Sequence, residues 1–429
     1  MKRVHILSLI LIIILIAASA TFLVSYVQSS NQPKAPVYVG IAYGGNTTAE
    51  AKLVIDRVKS YTNLFILDSG INPVSSNQSA VKEICDYAVN AGLNIIVNVG
   101  TWTNRTDWQW KVQFLNQSKQ TYGDKFLGAY YDDEPAGIPL DWDWTTYWTK
   151  NSTLFSGANP WTLTPIHYRI QMSEITGEKP EDYSPESDWV NQLIELNRGH
   201  ISLKQNQIKT FTSDYALYWF DYLGGYDTLF AQMGQNQTFN LQDRQDSFQS
   251  SNEQTSLALL RGAATMQNKD WGTIITWKYG SPPSPTASSN LDTGENVYND
   301  MVTAYNAGAK YITIFDYTKT DGNPYGGMSD EHFQALQDFW TNVVTKSTPT
   351  TPHAQAALVL PKDYGFGMRS PDDKIWGFWG PDDKSPLIWE NAQKLLGQYG
   401  LGLDIVYDDP AFPIQGNYSK VYYWNQTIT

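Results

Sequence analysis

The chain has 429 residues, of which 41% are hydrophobic, so it can bury a large core and is not a disordered protein. It carries 30 Lys and Arg against 43 Asp and Glu, and this net charge of -13 excludes nucleic acid as a partner because phosphates would be repelled. Charged residues make up only 17%, whereas Trp numbers 16 and Tyr 27, a composition that indicates an extracellular protein able to bind sugars.

The N-terminal segment is predicted to direct the chain to the membrane. Lys2 and Arg3 precede an apolar run, residues 4–27, which has no charge once neutral His5 is set aside. About 20 apolar residues span a bilayer, and the flanking positive charges stay inside. Ala18-Ser19-Ala20 also fits a signal-peptidase site. Residues 1–28 are therefore a signal anchor or a signal peptide, and we expect a membrane-anchored protein with an extracellular C-terminal part, or a secreted one.

Residues 36–345 alternate short β-branched or aromatic runs with longer amphipathic stretches, which predicts an α/β fold, a (β/α)8 TIM barrel. Asn90-Ala91-Gly92 and Asn306-Ala307-Gly308 each separate a predicted helix from a predicted strand, and each glycine fits the left-handed position after a helix. The predicted strands are 37–43, 63–68, 93–99, 126–132, 208–215, 228–233, 272–277 and 311–316. The predicted helices are 48–61, 79–90, 108–121, 188–198, 245–266, 295–306 and 330–344.

A linker rich in Thr, Ser and Pro, residues 346–353, predicts a domain boundary. Beyond it, residues 354–429 have the pattern of a small flavodoxin-like βαβ domain that is incomplete. Its predicted elements are a strand at 354–361, a helix at 386–399, a strand at 403–408 and a third strand at 421–424. A fragment of this size is expected to lean on the barrel.

Three carboxylates follow the fourth predicted strand: Asp132, Asp133 and Glu134, with Pro135 ending the run. In a parallel α/β barrel the carboxyl ends of the strands form the catalytic face. The alternative is that Asp133 and Glu134 cap the following helix in solvent. On the catalytic interpretation, Glu134 is the general acid, since adjacent carboxylates raise its pKa, and Asp132 and Asp133 orient it or bind substrate hydroxyls.

Cleavage of a glycosidic bond requires a second carboxylate. Asp214 and Asp316 are the candidates that we assign as catalytic with Glu134, and Asp68 is also eligible by position; for each of the two, a structural role is the alternative. Two long connections, 136–185 and 278–294, are expected to overhang the same face. The first carries Trp142 and Trp144, which either form sugar platforms or pack against the helices of the barrel. The predicted substrate-binding residues are Asp68, Asn98, Asp132, Asp133, Trp142, Trp144, Tyr215, Gln232, Trp277 and Lys278.

Asp133-Glu134-Pro135 resembles the Asn-Glu-Pro motif that closes strand four in the large clan of retaining TIM-barrel glycoside hydrolases. The resemblance implies that Glu134 is the acid/base and that Asp133 binds the sugar. The nucleophile of that clan is a Glu closing strand seven, whereas this strand ends in Thr276-Trp277-Lys278, which leaves the stereochemical course open. The layout of a barrel followed by a flavodoxin-like unit is similar to family 42 β-galactosidases.

Other chemistries find less support in the sequence. The acidic cluster 132–134 lacks the ligand spacing of a Ca²⁺ loop, so we predict no metal site and no cofactor. The single cysteine, Cys85, is predicted to be a small buried side chain rather than a nucleophile.

Triplets of the form Asn-x-Ser/Thr are compatible with a glycoprotein and begin at Asn46, Asn77, Asn104, Asn116, Asn151, Asn236, Asn417 and Asn425.

These observations predict an exported glycoside hydrolase, or a protein like one, that acts on an extracellular or surface polysaccharide with Glu134 as general acid/base. The rival hypothesis is a non-catalytic protein of the cell surface that binds glycans or supports the envelope and that kept the barrel without its nucleophile. The lysine at the end of strand seven, Lys278, favours the rival.

Overall fold

A computed structural model describes residues 37–68, 74–98, 105–131, 135, 201–214, 217–234, 247–276, 292–316, 323–346, 354–364, 382–414 and 416–428. The predicted anchor, residues 1–28, lies outside this part of the chain, as do the predicted helix 188–198 and the linker from residue 347 onward. Among the helices that the model describes, none is long and apolar enough to cross a membrane.

Eight parallel strands form a closed barrel in which β1 pairs with both β2 and β8. The predicted barrel is thus confirmed, and each predicted strand ends within two residues of the observed one. The strands are β1 Tyr38–Tyr43, β2 Leu64–Leu67, β3 Asn94–Asn98, β4 Phe126–Tyr130, β5 Thr210–Asp214, β6 Thr228–Met233, β7 Asp270–Ile275 and β8 Tyr311–Asp316.

Helices follow the strands along the chain, and their ends show the expected capping. The side chains of Thr47, Asn77 and Thr293 each accept a backbone N–H at a helix start. Gly92 and Gly308 have φ of 91° and 93°, so the prediction of left-handed glycines is confirmed. The helices are α1 Thr48–Val58, α2 Gln78–Asn90, α3 Arg105–Tyr122, α4 Ile201–Gln205, α5 Tyr218–Gly224, α6 Ser247–Gln267, α7 Gly294–Ala307 and α8 Asp330–Phe339, which continues as a π-helical turn, Trp340–Val344.

Side chains alternate between two faces along every strand, and this alternation divides the core into two clusters. The lumen holds stacked and edge-on aromatic rings, with the Phe211 centroid 6.1 Å from Phe230 and 5.5 Å from Tyr311. The outward faces, such as Ile312 and Ile314 of β8, belong to the larger cluster beneath the helices. The lumen at this level is therefore filled, and a site can form only above it.

A second sheet follows the barrel, with three parallel strands in the order β10-β9-β11. Its elements are β9 Ala356–Leu360, α9 Ser385–Tyr399, β10 Leu403–Tyr407 and β11 Lys420–Tyr423. Helix α6 of the barrel packs on β10, where a side chain at Gly262 would lie 2.4 Å from the Ile405 carbonyl oxygen. The expectation that this unit leans on the barrel holds for these contacts, whereas its assignment as flavodoxin-like stays a prediction.

A buried ion pair fixes the same contact. The Arg261 Nε of α6 donates to Asp404 Oδ1 of β10 at 2.7 Å, and its two terminal nitrogens donate to the carbonyl oxygens of Ala307 and Leu403. Asp404 Oδ2 accepts a bond from the Tyr418 hydroxyl at 2.9 Å. Both ionised side chains are almost fully buried, at 6% and 1% exposure, so their hydrogen bonds have to replace the water that they lose.

The close packing of β1 against β2 makes Gly40 sensitive to substitution. A Cβ at Gly40 would lie 1.8 Å from the Leu64 carbonyl oxygen, so we expect Gly40→Ala to separate the strands and to lower the free energy of unfolding by about 1–3 kcal/mol or more. Gly397 in α9 has no atom within 4 Å of the same position, and Gly397→Ala is expected to raise stability by about 0.5–1 kcal/mol. Urea unfolding followed by Trp fluorescence measures both changes; equal stabilities would contradict the prediction.

Candidate active site

Two of the predicted site residues lie on neighbouring strands and meet at the mouth of the barrel. The mouth is the opening formed by the carboxyl ends of the strands. Asp68 directly follows β2 and shares the lumen face of Leu64 and Ile66. Asn98 ends β3, and its Nδ2 donates to Asp68 Oδ1 at 2.5 Å. The amide thereby fixes the orientation of one carboxylate that faces the opening.

A buried polar floor lies across the mouth from this pair. The Tyr130 hydroxyl of β4 donates to Ser213 Oγ of β5 at 2.7 Å and accepts the Ser213 N–H at 3.0 Å. Gln232 of β6, which the sequence predicted for the site, donates through Nε2 to the same Ser213 Oγ at 3.4 Å. Tyr130 and Ser213 were not predicted as site residues. Alternation with the lumen residues Phe211 and Phe230 was the signal that could have found them.

Asp316 lies on the face of β8 opposite to the lumen, which argues against its predicted role as a catalytic carboxylate. It follows Ile312 and Ile314 on the outward face of β8. Its Oδ1 accepts the N–H groups of Gly327 and Met328 at 3.0 and 3.3 Å. Burial raises the pKa of Asp316 to about 7, an effect that these two amides partly oppose. The side chain therefore anchors the turn that leads into α8.

The alternation along β5 argues in the same way against Asp214 as a residue of the mouth. It is fully buried at the end of β5 and alternates with Ser213, whose side chain faces the lumen, so strand geometry turns Asp214 toward the helix layer together with Thr210 and Thr212. Both aspartates were chosen because they end a strand. The end of a strand, however, supplies one inward and one outward residue.

The remaining predicted site residues lie outside the described residues: Asp132, Asp133, Glu134, Trp142, Trp144, Tyr215, Trp277 and Lys278. Pro135, which follows Glu134, is buried. Cys85 is buried as predicted, and burial raises the pKa of its thiol, which excludes a thiolate nucleophile there. Within the part of the chain that the structure describes, no group of three His, Cys, Asp or Glu side chains is arranged to hold a metal ion.

No family model and no curated protein matches the sequence at a significant level. The similarities to known proteins are therefore similarities of structure. A polyextremophilic β-galactosidase from the haloarchaeon Halorubrum lacusprofundi superposes with a TM-score of 0.57, at 10% identity, over 90% of this chain and 68% of that one. The chain has the fold of the TIM-barrel glycoside hydrolases.

Further glycoside hydrolases with this barrel give lower scores. The GH5_18 protein of Streptomyces cattleya, solved in complex with Manβ1-4GlcNAc, has a TM-score of 0.48 at 12% identity and covers 90% of this chain and 99% of its own. A β-1,4-D-mannanase from Cryptopygus antarcticus has a TM-score of 0.40 at 10% identity and covers 71% of this chain and 90% of its own. At such low sequence identities, structural similarity shows only the fold. The activity of this chain therefore has to be argued from the residues at the mouth of its barrel.

Proposed function

We propose that this chain is a glycoside hydrolase that cleaves O-glycosidic bonds of an extracellular or surface polysaccharide. The observation that carries the proposal is the mouth of the closed barrel, where the Asp68–Asn98 pair lies across from a buried polar floor. In the sequence, the acidic cluster 132–134 follows one residue after the carboxyl end of β4. A carboxylate with fixed orientation, amide donors and an acidic cluster at one opening match what sugar hydrolysis requires.

In the proposed reaction, Glu134 protonates the oxygen of the leaving sugar as the glycosidic bond breaks. Asp68 is our candidate for the second carboxylate, because it is the one of the three eligible aspartates that shares the lumen face. It accepts a proton from a water molecule whose oxygen forms the new bond to the anomeric carbon. An inverting reaction of this kind needs carboxyl groups about 6.5–9.5 Å apart, which leaves room for that water.

The proposal includes export of the catalytic part. Residues 1–28 would hold the chain at the cell membrane as a signal anchor, or release it after cleavage as a secreted protein. A polysaccharide outside the cell is then the substrate within reach. The exposed side chains of Asn46 and Asn425 in two of the Asn-x-Ser/Thr triplets would be accessible for glycosylation.

A second candidate function is glycan binding without catalysis. The observation that favours it is Thr276-Trp277-Lys278, which closes the seventh strand without the carboxylate used by the clan that the fourth strand resembles. Such a protein would retain the polar floor and the aromatic residues for binding, and it would leave the glycan intact.

The release of new reducing ends from a broad panel of polysaccharides separates the two functions. We expect the purified wild-type protein to release them from at least one member, with an optimum below neutral pH if Glu134 has to be protonated. If no member is cleaved while one is bound in affinity electrophoresis, the binding function replaces the hydrolase. NMR of the first product formed then reports whether the anomeric configuration is inverted, as the Asp68 mechanism requires.

A further inference from the structure

One buried histidine joins the chain segments that enter α7 and α8. His332 lies in the first turn of α8 and has no exposed surface. Its Nδ1 lies 3.1 Å from the Ser329 backbone nitrogen, and its Nε2 lies 2.7 Å from the Asp292 carbonyl oxygen. Ser329 directly precedes α8, and Asp292 is two residues before α7. Because each helix of a β/α barrel starts at the carboxyl end of the strand before it, the ring links two segments on the side of the mouth.

These two contacts determine which ring nitrogen carries the proton. A carbonyl oxygen can only accept, so Nε2 of His332 has to donate to Asp292. A backbone N–H can only donate, so Nδ1 has to accept from Ser329. Both bonds therefore require the neutral ring with its proton on Nε2. A second proton, on Nδ1, would bring two N–H groups face to face in a buried place.

The bond to Ser329 is part of a capping box, in which the residue before a helix and the third residue of the helix satisfy each other's backbone N–H groups. The third residue is usually Glu or Gln, whose side-chain oxygen is the acceptor. Here the third residue is His332. The Ser329 hydroxyl, 3.1 Å from Nδ1, can rotate to accept a proton from the ring, but the backbone N–H cannot turn away. The cap of α8 thus depends on the protonation of the ring.

The surroundings of the ring act on its charge in opposite directions. Burial lowers the pKa of His332, while its bond to the Asp292 carbonyl and the charges of Glu331 and Asp292 oppose this shift. Arg57 of α1 is already paired with Asp330 at 2.6 Å. The charged groups on the segments around the start of α8 are Asp292 before α7, Glu295 and Asp300 of α7, Asp316 at the end of β8, Arg57 of α1, and Asp330 and Glu331 of α8.

We propose that His332 is an acid-sensitive latch between the segments that enter α7 and α8 at the mouth. The neutral ring accepts from Ser329 and donates to Asp292, whereas the charged ring keeps only the bond to Asp292. Acidification therefore loosens the cap of α8 and the turn before it, and it leaves the strands of the barrel in place. The latch operates in the same way whether the mouth hydrolyses a glycan or only binds one.

The sign of the effect follows from proton linkage. His332 binds its proton less tightly in the folded than in the unfolded chain, so it stabilises the fold fully above its unfolded pKa of about 6.5. This contribution is lost as the pH falls from there toward the folded pKa. In His332→Gln the side-chain oxygen can accept the Ser329 N–H without titrating. Between pH 7 and pH 5 the melting temperature of this variant should fall by about 1–3 °C less than that of the wild type.

Gln337→Ala is the control for this comparison, because it changes an exposed residue of the same helix and keeps the ring. Its melting temperature should fall between pH 7 and pH 5 by as much as that of the wild type. The proposal is overturned if His332→Gln shows the same fall as these two proteins, since the acid-sensitive group would then be another one.

NMR of the histidine ring nitrogens tests the latch in the wild-type protein. The chain has five histidines, and the signals that are missing from the spectrum of His332→Gln identify this ring. We expect a protonated Nε2 and an unprotonated Nδ1 at pH 7, and a pKa below the ordinary value of about 6.5. A proton on Nδ1 at pH 7, or a pKa at or above about 6.5, contradicts the proposal.

Hydrogen exchange of the wild type locates the loosening without a variant. The Ser329 amide donates to the ring, and the Phe333 amide forms the first helical bond of α8, to the Ser329 carbonyl oxygen at 3.2 Å. Both amides should lose protection between pH 7 and pH 5, after correction for the intrinsic exchange rate. The amide of Ile41, in the fully buried part of β1, serves as the internal reference. Equal changes for all three amides would overturn a local latch.

Discussion

Replacing Glu134 by Gln is expected to lower the rate of glycan cleavage by about 10²–10⁴-fold, the usual contribution of a general acid. The amide has nearly the same shape as the carboxyl group but cannot release a proton to the leaving oxygen. Binding should survive, because the Asp68–Asn98 pair and the polar floor stay in place. Initial rates on the polysaccharide that the wild type cleaves, together with affinity electrophoresis on the same polymer, measure the two effects separately.

Glu83→Gln is the matched control for this experiment. Glu83 is exposed on α2, pairs with Lys52 at 2.6 Å and has no role assigned at the mouth, so its loss should leave the rate unchanged. Asp68→Asn should lower the rate to a similar degree as Glu134→Gln. If Glu134→Gln retains more than a tenth of the wild-type rate, Glu134 is not the acid; if Asp68→Asn alone retains it, the second carboxylate lies elsewhere.

Asp404→Ala is expected to lower the free energy of unfolding by about 3–5 kcal/mol, which is the largest stability effect that we predict. The substitution leaves the Arg261 guanidinium buried at 6% exposure without its anion, and it removes the acceptor of the Tyr418 hydroxyl. The substitution therefore weakens the contact between α6 and the second sheet. Urea unfolding followed by tryptophan fluorescence measures this change in the free energy of unfolding.

An exposed ion pair gives the comparison for this effect. Asp86→Ala breaks the pair with Lys82 on α2 and the hydrogen bond that Asp86 accepts from the Tyr122 hydroxyl, and it should cost about 1–2 kcal/mol, because the ion pair keeps much of its water. A double variant, Arg261→Met with Asp404→Leu, should recover most of the loss, since it removes both buried charges together. If Asp404→Ala costs no more than Asp86→Ala, the buried pair does not hold the second sheet to the barrel.

The barrel could be predicted from the sequence because its signals are local. Most strands are short apolar or aromatic runs, and Gly92 and Gly308 mark the ends of two helices with a conformation that other residues rarely adopt. Helix α5 was missed, since six of its seven residues are buried and the polar face that marks a surface helix is absent.

The site was harder to predict because it depends on which face of the strand each residue occupies, and not only on where the strand ends. Asp316 ends β8 as expected, yet Ile314 and Ile312 already occupy the outward face two and four residues earlier. Reading that alternation would have placed Asp316 beneath the helices and Ser213 in the lumen. The hydrogen bonds of Asp316 to Gly327 and Met328 join residues that only the folded chain brings together, so no local pattern reveals them.

The aromatic rings inside the barrel also limit how any ligand can move. Tyr130, Phe211, Phe230 and Tyr311 close the channel below the mouth. A polymer cannot thread through the protein and exit at the far end. A long polysaccharide must lie across the opening, and a ligand that enters the barrel there has to leave by the same route.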